Sequence, residues 1–100
     1  MPAYMIIVAE LTDPKGFMEY GARAAELIEQ FGGEYIVRGA KQSVLLEGDW
    51  PDEEKVVISR WPSVEAAQKF WNSPEYEEAK KLRAGKAIVK VRLVEGIPGL

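Results

Sequence analysis

The chain has 100 residues, 47% of them hydrophobic, which is the composition of one ordinary globular domain spanning 1–100 and not of a disordered segment. Its 13 basic and 16 acidic side chains give a formal net charge of −3 and are scattered along the sequence, which excludes nucleic acid as a partner because that binding needs a concentrated positive field. With no cysteine and no histidine, thiolate chemistry, zinc ribbons, iron–sulfur clusters and the usual proximal ligand of haem are excluded, and the expectation is no cofactor and no metal.

The N-terminal Met1-Pro2-Ala3-Tyr4 has no basic stretch ahead of its apolar run, so it does not read as a signal peptide. No apolar run approaches the ~20 residues that cross a bilayer. The expectation is a soluble cytoplasmic protein without a membrane partner.

Tyr4 to Leu11 (YMIIVAEL) is almost continuously apolar and predicts a central strand covered on both faces. Asp13-Pro14 supplies an N-cap and a first helical residue. Phe17, Tyr20, Gly21, Ala24, Leu27, Ile28 and Phe31 then recur at helical spacing until Gly32-Gly33 ends the helix. Glu34 to Val37 and Ser43 to Glu47 have strand character, with Arg38-Gly39-Ala40 as a bend, bulge or turn that leaves the register between Arg38 and Ser43 open. Glu47 to Lys55 is a polar loop and Val56 to Trp61 a strand.

Pro62 stops that strand and Ser63 caps a helix whose apolar positions are Val64, Ala67, Phe70 and Trp71. Ser73-Pro74 breaks and restarts it through Tyr76, Ala79 and Leu82 or Arg83, to an end near Gly85. In the last strand Ala87, Val89, Val91 and Leu93 form a uniformly apolar face. The order is βαββαβ with the second helix broken, an α+β, ferredoxin-like plan with helices on one face of a four-stranded antiparallel sheet. Both sides of the first strand are apolar, Met5, Ile7, Ala9 and Leu11 on one and Tyr4, Ile6 and Val8 on the other. The face without helices therefore calls for cover, and a second copy of the same sheet is the simplest cover.

Taken together, Tyr35-Ile36-Val37-Arg38-Gly39, Glu47-Gly48-Asp49-Trp50-Pro51, Pro62-Ser63 with Ala66-Ala67, Ser73-Pro74-Glu75-Tyr76 and Val94-Glu95-Gly96 resemble the bacterial family catalogued as a domain of unknown function, number thirteen-thirty. The resemblance runs over nearly the whole chain and rests on joint spacing. It implies the dimeric α/β barrel, a two-fold pair of ferredoxin-like sheets. That superfold hosts cofactor-free monooxygenases, isomerases, haem enzymes and stress-responsive proteins, so it selects no single function. Trp71, Asn72 and Tyr76 are of the residue types that the monooxygenase branch often places in the second helical region.

Five residues are candidates for ligand binding. Arg38, at a strand end beside a glycine, can hold a carboxylate or enolate in bidentate geometry; its plainer role is a structural ion pair. Tyr20 can orient a ligand or simply pack. Trp71 and Tyr76, with Trp50, Trp61 and Phe70, can line a flat aromatic pocket or form core. Arg83 can meet an anion or complement a helix dipole. The acidic run Asp49, Asp52, Glu53 and Glu54 lacks a calcium-loop pattern and reads as solvated. No catalytic residue is assigned. Two functions follow: a non-catalytic dimer that binds a small organic anion or aromatic ligand, or is associated with stress; and a cofactor-independent enzyme, monooxygenase- or isomerase-like, acting on an aromatic or ketoacid-like substrate.

Overall fold

A computed structural model describes residues 1–99. Four strands, β1 (Ala3–Leu11), β2 (Glu34–Val37), β3 (Glu54–Trp61) and β4 (Ala87–Glu95), form one antiparallel sheet in the order β2-β3-β1-β4. Helix α1 (Pro14–Gln30) connects β1 to β2, and α2 (Val64–Trp71), α3 (Pro74–Lys80) and a 3-10 turn (Lys81–Arg83) connect β3 to β4. This is the ferredoxin-like arrangement expected from the sequence. Among the described residues no helix is long and apolar enough to cross a membrane.

The helix boundaries follow from their caps. The Asp13 carboxylate accepts from the Gly16 amide at 3.0 Å, and Pro14 opens α1. The helix closes as a Schellman motif: Gly32 takes φ +91°, its amide donates to the Glu29 carbonyl, and the Gly33 amide donates to Ile28 at 2.9 Å. Ser63 Oγ accepts from Ala66 at 3.0 Å. Ser73 Oγ accepts from the Tyr76 amide at 3.1 Å and donates to the Phe70 carbonyl at 2.8 Å, so one buried hydroxyl both ends α2 and starts α3.

The β1 alternation sorts the sheet into two faces. Ala3, Met5 and Ala9 are buried toward the helices. Tyr4, Ile6 and Val8 lie on the other face, where Ile6 pairs with Ile58 and Val8 with Val56. On the helix side, Trp61, Phe70, Leu27 and Ala67 form the core with Met5 and Tyr76. The Phe70 ring is 5.1 Å from Trp61, 4.6 Å from Tyr76 and 5.9 Å from Phe31. Trp61 Nε1 donates to Ser59 Oγ at 2.9 Å, which satisfies the one polar atom of a buried indole. Gly33 lies so close to that indole that a Cβ there would meet the ring at 2.7 Å, so this position needs glycine for space and not for its φ.

One expected strand is absent. Ser43 to Glu47 is not in the sheet and the residues are exposed. A strand needs a regular edge to pair with: β3, which follows the segment, has both edges filled by β2 and β1, and the open outer edge of β2 is only four residues long and irregular. A register shift between Tyr35 and Val37 and the left-handed Gly39 (φ +62°) end β2 and carry the chain off the sheet. β3 in turn begins at Glu54, earlier than Val56, because Ala9 and Glu10 of β1 offer partners to Lys55 and Glu54.

Candidate functional site

The sequence candidates converge where α1, α3 and the 3-10 turn meet the end of β2. The α1 stripe that buries Leu27 and Ile28 also places Tyr20 on the inner side of the helix, and the Ser73 cap fixes Tyr76 at the start of α3. Their phenol oxygens are 2.8 Å apart, and the rings meet edge to face. Trp71 packs on Tyr76 with ring centroids 5.0 Å apart, and Lys80 Nζ lies 5.1 Å over the Trp71 ring.

Arg83 turns inward from the 3-10 segment, its guanidinium carbon 5.5 Å over the Tyr20 ring. Its Nε is shielded from solvent and has no hydrogen-bond partner among the described residues. Arg38 lies 4.7 Å over the Tyr35 ring and donates to the Gly21 carbonyl at 3.4 Å. The ion pair considered for Arg38 is not present within the chain: among the described residues the salt bridges are Arg23–Glu26, Lys80–Glu77 and Lys81–Glu78, all exposed helix pairs.

Tyr35 belongs to the same cluster and was not a sequence candidate. The Tyr35-Ile36-Val37-Arg38 spacing at a strand end held the signal, since the bulge there lets the arginine fold back on the tyrosine. The aromatic set divides. Trp61, Phe70 and Tyr76 are core, whereas Trp50 is exposed and bonds locally to the Glu54 carbonyl at 3.0 Å. They do not form a flat pocket. Asn72 ends α2 with its amide on Gln68, and it lines a shallow open depression with Phe31, Glu65 and Pro74, away from Tyr20. A second open depression lies beside Gly33, Arg60 and Pro62, and neither includes Arg38, Tyr20 or Arg83.

The cluster is rich in donors. In the Tyr20–Tyr76 bond one phenol spends its proton on the other, so one phenol proton remains to offer to a ligand. Two guanidiniums flank it, with no carboxylate partner among the described residues. Burial, reinforced by Tyr76, pushes the Tyr20 phenol far above its ordinary value of 10.0, and burial raises Tyr35 as well against the opposing pull of Arg38. Both phenols therefore stay protonated at neutral pH and act as donors, not bases. Among the described residues no three His, Cys, Asp or Glu side chains gather in a metal-binding group.

Because Tyr20 is held protonated in the fold, its contribution to stability is complete below the ordinary tyrosine range and is lost as pH rises beyond it. Denaturation series from pH 8 to 11 are expected to show stability falling above about pH 10, by up to roughly 1.4 kcal/mol per pH unit for each such phenol. Tyr20→Phe should make the decline shallower. Parallel curves for the two proteins would show that Tyr20 burial does not govern it.

A family profile described as Domain of unknown function (DUF1330) matches residues 2–97. The chain belongs to that family. No curated protein matches it. Among solved structures, a Rhodopseudomonas palustris protein of unknown function is similar at 22% identity and TM-score 0.75, over 96% of this chain and 82% of that one. SnoaB, a cofactor-independent oxygenase from Streptomyces nogalater, is similar at 16% identity and TM-score 0.70, over 99% of this chain and 96% of its own. A Mycobacterium tuberculosis protein is similar at 16% identity and TM-score 0.63, over 97% and 96%. At these identities the likeness shows the fold of this DUF1330 member and nothing of its chemistry.

Proposed function

We propose that this protein is a non-catalytic binder of a small organic anion, a carboxylate or enolate carried on an aromatic or ketoacid-like body, and that it works as a pair of copies joined through the sheet face without helices. One observation carries the ligand class: Arg38 and Arg83 flank a hydrogen-bonded tyrosine pair, and neither guanidinium has a carboxylate partner among the described residues. A bidentate carboxylate satisfies such donors, and aromatic walls from Tyr20, Tyr35 and Trp71 suit a planar body. The pairing is supported by Tyr4, Ile6, Val8, Val56 and Ile58, which give the far face an apolar centre that this chain's helices do not cover.

The enzymatic reading draws on the fold shared with SnoaB. It requires a base, and burial keeps the Tyr20 and Tyr35 phenols protonated. Binding without turnover fits the cluster better.

Calorimetric titration with benzoate and phenylpyruvate tests the proposal. Arg38→Ala is expected to weaken binding about tenfold, the loss of roughly 1.4 kcal/mol of charge-assisted hydrogen bonding, with the melting temperature nearly unchanged because the side chain is exposed. Equal affinity in the variant, or no binding to the wild type, would sink the anion site. Oxygen uptake with either probe would favour the enzymatic reading.

A further inference from the structure

Ser43–Leu46 has the composition of a strand and is paired with none. Val44, Leu45 and Leu46 are exposed at 64%, 51% and 91%, and among the described residues none of the backbone hydrogen bonds outside the regular elements involves 43–46. Three adjacent exposed aliphatic residues are a liability in an isolated chain and a docking element in an assembled one. The sheet has two open edges, β2 and β4. β2 is four residues long and shifts register, whereas β4 runs regularly over nine residues. Beside the β4 edge, on the face without helices, Ile88 is 63% exposed and Val94 pairs with Tyr4.

Charge points the same way. Glu47, Asp49, Asp52 and Glu53 follow the apolar run and are exposed, while Lys90 and Arg92 of β4 stand opposite Val8 and Ile6 on the far face. The acids and the β4 bases are complementary. Geometry adds a third argument. A two-fold axis lying between two facing sheets and parallel to their strands places the β2 edge of one copy over the β4 edge of the other, and 43–46 leaves the sheet from β2. Within one chain those edges are separated by two strands, roughly 14 Å by ordinary strand spacing.

We propose that Ser43–Leu46 of one copy adds to the open edge of β4 in a second copy, as a fifth strand whose apolar side chains cover Ile88 and its neighbours and whose trailing acids meet Lys90 and Arg92. By two-fold symmetry each copy gives one arm and receives one. This rests on the sheet-to-sheet pairing proposed above and assigns the segment that seals it.

Three measurements test it together. Light scattering of the wild type is expected to give the mass of two chains. Leu45→Asp combined with Leu46→Asp should weaken that association at least tenfold, and the fold should persist because both residues are exposed. The chain has no cysteine, so paired substitutions of Ile88→Cys with Val44→Cys, Leu45→Cys or Leu46→Cys report contact unambiguously. At least one pair should double in mass on oxidation, beyond what either single variant does. A monomeric wild type overturns both the pairing and the arm. A dimer that persists in the Asp variant and yields no cross-link from any pair overturns the arm and leaves the pairing standing, and a cross-link closed within one chain also overturns the arm.

Discussion

Phe70→Ala is expected to cost about 3–5 kcal/mol of stability, the range for truncating a fully buried aromatic ring. Phe70 is 1% exposed and its ring touches Trp61, Tyr76 and Phe31, which come from β3, α3 and the end of α1. The cavity cannot close by a local shift. Trp61 is held from behind by Gly33 and by its bond to Ser59, and Tyr76 is held by the Ser73 cap and by Tyr20. For a domain of this size each kcal/mol moves the melting temperature by roughly 4–8 °C, so a fall of at least about 12 °C should follow in a calorimetric or circular-dichroism melt. Trp50→Ala is the control. An exposed ring with one local hydrogen bond should cost no more than about 1 kcal/mol. A Phe70→Ala loss no larger than the control's would mean that these rings are not the keystone of the core.

The parts of this fold that were legible in the sequence are those written in local chemistry. Asp13-Pro14, Ser63 and Ser73-Pro74 each fix a helix start within four residues, and a side-chain oxygen facing its own backbone needs no knowledge of the rest of the chain. The nearly continuous apolar run of β1 likewise announces two apolar faces, and Ala3, Met5 and Ala9 lie buried under the helices on one of them. What failed is non-local. Ser43–Glu47 has a strand's composition, but a bulge in β2 and the left-handed Gly39 carry it off the sheet before it can pair.

Residue type groups Trp50 with Trp61 and Phe70, yet its indole is fixed by the Glu54 carbonyl, four residues on at the start of β3. Tyr35 escaped notice because a four-residue strand shows too little pattern to say which side chain faces α1. The five chosen site residues did come to the same corner, for a simple reason. Tyr20 and Tyr76 lie on the inner stripes of helices that pack on one sheet, and Arg38 and Arg83 end the elements nearest them.

Arg83 carries the strongest test of the site, because its two possible roles predict opposite signs. Its Nε is shielded and without a partner among the described residues, a state that costs a buried donor about 1–3 kcal/mol, whereas its position over the Tyr20 ring returns only about 0.5–1 kcal/mol. The straight chain of Met fills similar space without a charge. Arg83→Met is therefore expected to leave the melting temperature unchanged or raise it slightly. The same change should weaken benzoate or phenylpyruvate binding about 10- to 100-fold, since a hydrogen bond to a charged group is worth roughly 1.5–3 kcal/mol. Arg83→Lys should fall between, keeping the charge and losing the planar fork. If Arg83 instead serves the fold, by complementing the helix end and packing on Tyr20, Arg83→Met should lower the melting temperature by several degrees and leave affinity untouched. Melts and titrations on the three proteins decide the matter: a destabilised Met variant with wild-type affinity would remove Arg83 from the binding site.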